Sequence, residues 1–121
     1  MPRFVVLRHE MPPDSARGRV HWDFMLEQAG ALRTWALAEE PAAGDEILAE
    51  ALADHRLAYL DYEGPISGDR GGVTQWDAGE YEAERDAADQ LQVRLSGRRL
   101  RGTAVLRLVD RPQRWTFTFS T

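Results

Sequence analysis

Val20-His21-Trp22-Asp23-Phe24-Met25-Leu26-Glu27 is the stretch whose reading decides the fold of this chain. With a period of two it separates into a face of Val20, Trp22, Phe24 and Leu26 and a face of His21, Asp23, Met25 and Glu27, the alternation of a half-buried strand. His21 and Asp23 leave the same side of such a strand, roughly 6 to 7 Å apart along it. An imidazole and a carboxylate so placed can share one metal ion when a third ligand arrives from elsewhere. On the pattern alone, a strand with one core face and one solvated face explains the same residues more simply.

Composition narrows what that third ligand is. The chain has no cysteine and three histidines, His9, His21 and His55, so a metal would depend on imidazole and carboxylate donors. A formal net charge of -5 argues against a broad cationic surface for nucleic acid, though not against a grip on one strand end. All fifteen basic residues are arginines, which removes lysine nucleophiles and suits bidentate phosphate contacts; GC-rich codon usage explains the bias better than function does. The 121 residues fit one domain, 1–121, with a single modest core, and 43% hydrophobic with 29% charged residues is the balance of a folded soluble protein. No signal-peptide pattern is visible and no apolar run approaches the roughly 18 residues of a membrane span, so a cytoplasmic protein without membrane partners is expected.

Outward from Val20, Arg3 to His9 is a β-rich run ending on His9, and Glu10 to Arg19, with Pro12, Pro13 and Gly18, is a loop. Gln28-Ala29-Gly30 turns the chain into a return strand over Ala31 to Leu37. Asp45 to Ala53 has the residues of a short helix, with Asp45 as N-cap and Ile47, Leu48, Ala51 and Leu52 as its buried stripe. His55 and Tyr59 then stand four apart on one face. Gly64, Gly68, Gly71 and Gly72, around Asp69 and Arg70, make a loop whose amides and guanidinium could approach an anion or simply meet solvent. Val73 to Trp76 reads as a strand, Asp77-Ala78-Gly79 as a turn and Glu80 to Gln90 as a solvated charged segment. Leu91 to Leu95 and Arg98 to Val109 form a hairpin about Ser96-Gly97, and Trp115, Phe117 and Phe119 line the core face of a last strand. Seven or eight strands with one short helix predict a mainly β chain, a small antiparallel barrel or tight sandwich.

Several of these segments together resemble one family. His9 closing the first strand, His21-Trp22-Asp23-Phe24 with Leu26-Glu27, Leu32-Arg33-Thr34-Trp35-Ala36, Asp54-His55 with Tyr59, Glu63-Gly64 and Trp76-Asp77 with Gly79 resemble, in order, the 3′-phosphoesterase domain of bacterial DNA ligase D, from about Arg3 to Leu108. The resemblance implies a manganese-dependent module for non-homologous end joining that trims a terminal ribonucleoside and then a 3′-phosphate from a nucleic acid 3′ end, a DNA primer-template above all. It implies a metal held by His9, His21 and Asp23, with His55 and Tyr59 as catalytic residues near the scissile phosphate. Mn²⁺ is the expected cofactor, and the same donors accept Zn²⁺.

Two departures stand out. Where the family has an arginine two residues after the strand's aspartate this chain has Met25, and where it has another, eight residues before the histidine matching His55, it has Ile47. Losing two charge-assisted phosphate contacts weakens transition-state stabilisation unless other groups replace them. Arg17, Arg19, Arg56 and Arg70 are candidate replacements, with Arg70 and Arg56 as the expected phosphate-binding residues. Without fused polymerase and ligase modules, the chain is expected to act alone or with recruited DNA repair proteins. Two alternatives stay open: a non-catalytic metal-containing module that binds a nucleic acid end, small anion or protein partner, and a structural domain whose His9, His21 and Asp23 form a polar cluster without metal.

Overall fold

Alternation becomes strand along most of the chain. In the computed structural model, which describes residues 1–15, 18–68 and 70–121, the strands are β1 (Arg3–Glu10), β2 (Val20–Gln28), β3 (Ala31–Leu37), β4 (Glu46–His55), β5 (Gly64–Pro65), β6 (Gly72–Ala87), β7 (Gln90–Gly97), β8 (Arg101–Leu108) and β9 (Arg114–Ser120). Arg17 and Asp69 lie outside the described residues. The strands hydrogen-bond in the order β1-β2-β3-β4-β9-β8-β7-β6-β5, and a further antiparallel pairing of β1 with β6 closes them into a ring. Closure leaves the two-residue β5 as the end strand of the order, and pairing around the ring is how a small all-β chain protects its backbone groups.

Inside the ring, Phe4, Val6, Phe24, Leu26, Trp35, Leu37, Phe117 and Phe119 form the main core. Phe24 meets Phe117 edge-on at 5.3 Å, and Trp35 meets Trp115 at 5.7 Å. The opposite face of β1 and β2 is not simply polar. Val5, Leu7 and Met25 join Leu32, Leu60 and Val73 in a second apolar cluster, against which Tyr59, Tyr62 and Ile66 pack from the segment after β4.

The expected helix over Asp45 to Ala53 is corrected by β4. Ala, Leu and Glu favour helix in isolation, but Ile47 and Ala49 face the core with a period of two, and β4 bridges β3 to β9 in the ring. Leu48, assigned to a buried stripe by helical spacing, is 58% exposed instead. The only helical element among the described residues is a single 3₁₀ turn, Leu57–Leu60.

The expected turn at Asp77-Ala78-Gly79 is likewise part of β6, which runs on through the charged segment with Tyr81 turned inward and Glu82 and Glu84 outward. The β1–β6 register shifts beside Asp77, whose fully buried carboxylate accepts four backbone N–H groups, those of Ala78 (2.9 Å), Arg98 (2.7 Å), Arg99 (3.1 Å) and Leu100 (2.8 Å), and so ties β6 to the β7–β8 turn. Gly97 makes room for it, since a Cβ there would stand 2.4 Å from Asp77 Oδ2 and 2.7 Å from Phe4.

Two stability predictions follow from these local geometries. Asp77→Ala strands several buried amides and is expected to cost about 3 kcal/mol or more, read from the urea midpoint of unfolding. Ala29 carries φ 54° in the β2–β3 turn, where a Cβ is unfavourable, so Ala29→Asn is expected to gain about 0.5 to 1 kcal/mol in the same measurement.

Candidate metal centre

In the antiparallel register of β1 and β2, His9 stands directly opposite His21, and Asp23 lies two residues further along the same face. Cross-strand pairing alone therefore brings together three residues that are fourteen positions apart at most in sequence. The two imidazole rings are 4.6 Å apart, and one ligand atom from each of His9, His21 and Asp23 falls within 4.8 Å of the others. His21 and Asp23 are buried, at 5% and 3% exposure, while His9 forms the half-buried outer side.

The protons on these groups can be placed by chemistry. His9 Nε2 lies 2.7 Å from the Arg70 carbonyl oxygen, which can only accept, so Nε2 carries a hydrogen. In the neutral imidazole, Nδ1 is then a lone pair, and it faces Asp23 Oδ2 at 3.0 Å. Two acceptors at that distance need a positive charge at one of them or between them. His21 Nε2 lies 2.9 Å from Asp23 Oδ1 without hydrogen-bond alignment, and His21 Nδ1 and Asp23 Oδ1 are both buried with no hydrogen-bond partner among the described residues. A divalent cation fits this donor set, and the Nε2–H bond to a carbonyl is the outer support metal-bound histidines usually have.

Charge follows the same logic. Burial raises the Asp23 pKa, but the close His21 and His9 imidazoles together outweigh it, and the carboxyl is held below its ordinary range.

The other expected site residues divide. His55 and Tyr59 meet each other edge-on at 5.7 Å, and Tyr59 meets Tyr62 at the same distance. His55 pairs with Leu32 across β3–β4, so the pair flanks the outer apolar cluster on the far side of Met25 from Asp23. His55 Nδ1 donates to the Ala53 carbonyl at 2.9 Å, which leaves Nε2 as its second functional atom. Arg70 belongs to the centre through its backbone, which holds His9; its guanidinium donates back to the Ser67 carbonyl at 2.8 Å and to Ser67 Oγ at 3.3 Å. Arg56 is exposed at the head of the 3₁₀ turn, and Arg19 is exposed in the loop before β2. Ile47 faces the ring interior, so a side chain there has no access to the outer face where the triad stands.

Beside His21 lies a cleft of about 670 Å³, lined among others by Ala36, Leu48, Glu50, Arg111 and Arg114. The sequence reading passed over both arginines, since nothing near them in the chain marks them. Only the β4–β9 pairing brings them to this face.

The chain is similar to known proteins over most of its length. The family model described as the DNA Ligase D 3′-phosphoesterase domain matches residues 14–107, a span that includes His21, Asp23, His55 and Tyr59 and leaves out His9. The multifunctional non-homologous end joining protein LigD of Pseudomonas aeruginosa is 33% identical over 95 residues, covering 74% of this chain and 11% of that protein. The protein of the same name from Mycobacterium bovis is 36% identical over 97 residues, covering 73% of this chain and 13% of its own length. The multifunctional non-homologous end joining DNA repair protein LigD of Mycobacterium tuberculosis gives the same figures. The chain thus corresponds to about an eighth or less of the length of these relatives.

The depressed Asp23 carboxyl has a consequence in acid. An ionised Asp23 adds stability that is complete above the ordinary carboxyl range near pH ~4 and is lost as pH falls through its lower folded value. In metal-free protein, Asp23→Asn is expected to flatten the acid limb of stability against pH, followed by urea unfolding from neutral to strongly acid pH.

Proposed function

The chain belongs to the DNA ligase D 3′-phosphoesterase domain family, and on that premise we propose that it is a metal-dependent phosphoesterase that heals nucleic acid 3′ ends. In this reading it removes a terminal ribonucleoside and then a 3′-phosphate, leaving a hydroxyl that a ligase can use. The supporting observation is the convergence of His9 Nδ1 and His21 Nε2 on the Asp23 carboxylate, at 3.0 and 2.9 Å, beside a His21 Nδ1 that is buried with no hydrogen-bond partner among the described residues. A cation among these atoms relieves the conflict, and Mn²⁺ is the first choice for the donor set, with Zn²⁺ the competitor.

When bound, such a cation supplies polarisation of a phosphoryl oxygen and a more acidic water. The rest is the work of the chain's own residues. Asp23, kept ionised by the two imidazoles, holds negative charge at a site where burial excludes bulk water. The Arg70 carbonyl fixes the His9 ring and its tautomer. His55, further along the outer face beyond Met25, presents Nε2, with Nδ1 anchored on Ala53, and can bond a phosphate of the bound strand there. Tyr59 braces the His55 ring from its edge. Partners are proposed on the same basis: a DNA primer-template as substrate and DNA repair proteins of end joining as associates.

A second reading has its own support in Met25, which is 1% exposed and puts apolar packing where the family carries an arginine. On that reading the chain is a module that holds metal and a strand end without turnover.

A primer-template bearing one 3′-ribonucleotide or a 3′-phosphate, incubated with Mn²⁺, Zn²⁺ or EDTA, separates the two. Trimming is expected to require metal and to fall at least a hundredfold, on the order of a lost ligand, in His21→Ala or Asp23→Ala variants that remain folded by circular dichroism. Undiminished trimming in either variant would remove these residues from the reaction. Calorimetric metal binding without trimming would select the module.

A further inference from the structure

Arg111 and Arg114 occupy a position that the metal centre does not explain. Asp23 on β2 pairs with Ala36 on β3, Ala36 with Glu50 on β4, and Glu50 with Arg114 on β9. Directly paired residues share a face, so these four form one row across the outside of the ring, about 14 Å from Asp23 to Arg114 at ~4.8 Å per strand. Ala36 and Glu50 of this row lie in the cleft beside His21, and Arg114 stands at its edge. Its middle is low because Ala36 is small, and Leu48, 58% exposed, adds an apolar shelf.

The cationic end of the row is well anchored. Gln113 accepts the Ala51 amide at 2.8 Å, the Val109 and Arg114 amides bond within the β8–β9 turn, and the Trp115 indole donates to the Pro112 carbonyl at 2.8 Å. The two guanidiniums are less committed. Both face Asp110, at 3.9 Å for Arg111 and 3.6 Å for Arg114, with side chains 71% and 49% exposed. Ion pairs this long and exposed are weak, and an incoming anion can displace them.

We propose that Arg111 and Arg114 bind the sugar-phosphate backbone of the substrate strand on the 5′ side of its terminal nucleotide, with Leu48 against the apolar face of an intervening sugar or base. The proposal rests on the reading of the triad as the place of the 3′ end. It assigns strand binding to a pair of arginines that act at a distance from the reacting phosphate and recognise only its chain continuation. In a protein of net charge -5, such a local rim is how a strand end is held without a broad basic surface.

The test is equilibrium binding of a short labelled DNA strand ending in 3′-phosphate, in EDTA so that nothing is turned over, across a salt series. Arg111→Gln and Arg114→Gln are each expected to weaken binding about threefold to tenfold, with the salt slope falling by about 0.7 per lost contact on a single strand. Arg94→Gln, an exposed arginine pairing with Glu84 on another part of the ring, is expected to change neither. A nucleoside 3′-monophosphate, which has no upstream phosphate, is expected to bind the double variant as it binds the wild type. Wild-type affinity and slope in the folded double variant would overturn the proposal, as would an equal loss for the monophosphate or no strand binding by the wild type. Metal-dependent trimming by wild type with unchanged strand binding in the double variant would leave the enzyme and remove the rim. Salt-dependent binding lost in the double variant, beside a wild type that never trims, would leave the rim and remove the enzyme.

Discussion

Strand β1 is bonded along both of its edges, to β2 on one side and β6 on the other, and most of the molecule depends on that double pairing. Without the β1–β6 ladder the sheet would be open, with two long edges to protect. With it, the interior becomes a filled ring of aromatic side chains, and the loop after β5 is drawn over the end of β1, where the Arg70 carbonyl meets His9. The pairing with β2 places His9 opposite His21. One strand thus closes the fold and assembles the site.

Because a ring of this size is packed solid inside, chemistry has to stand outside it. The strands meet that need by having two useful faces. Phe4, Val6, Phe24 and Leu26 go inward, while Val5, Leu7 and Met25 run outward into a smaller cluster that continues into His9, His21 and Asp23. The segment carrying Leu60, Tyr59 and Tyr62 covers that cluster and stops short of the triad. Burial at Asp23 is therefore local: deep enough to make its two imidazole neighbours matter, and close enough to the cleft beside His21 for a ligand to reach.

How much of this could be read in the sequence depended on which forces were local. β2, β3 and β9 declared themselves because their core faces are large and β-prone, as in Trp115, Phe117 and Phe119. β4 did not, since a run of Ala, Leu and Glu favours helix until the ring requires a strand between β3 and β9. Asp77 looked like a turn residue because turns use aspartate, whereas here its carboxylate accepts amides from a turn some twenty residues away. Of the triad, the spacing of His21 and Asp23 was legible in the chain, His9 entered only through the family resemblance, and the backbone carbonyl of Arg70 that holds it has no signature at all. The arginine pair was hidden for a related reason, being brought to the cleft only by ladders between strands far apart in the chain.

Met25 and Ile47 looked alike in the sequence, as two arginines lost, and the structure separates them. Ile47 lies within the aromatic core, so its side chain could not have reached a phosphate at the outer face. Met25 does lie on that face, beside Asp23 and fully covered by Leu60 and its neighbours. An arginine in that setting would lose its hydration among Val5, Leu7, Leu32 and Val73, a penalty of several kcal/mol unless an anion or carboxylate met it there. The apolar cluster and a floor-mounted anion clamp are therefore alternatives, and this chain has the cluster. Anion recognition on this face would then have to come from groups that keep their water until the ligand arrives, as the exposed arginines at the edge of the cleft do.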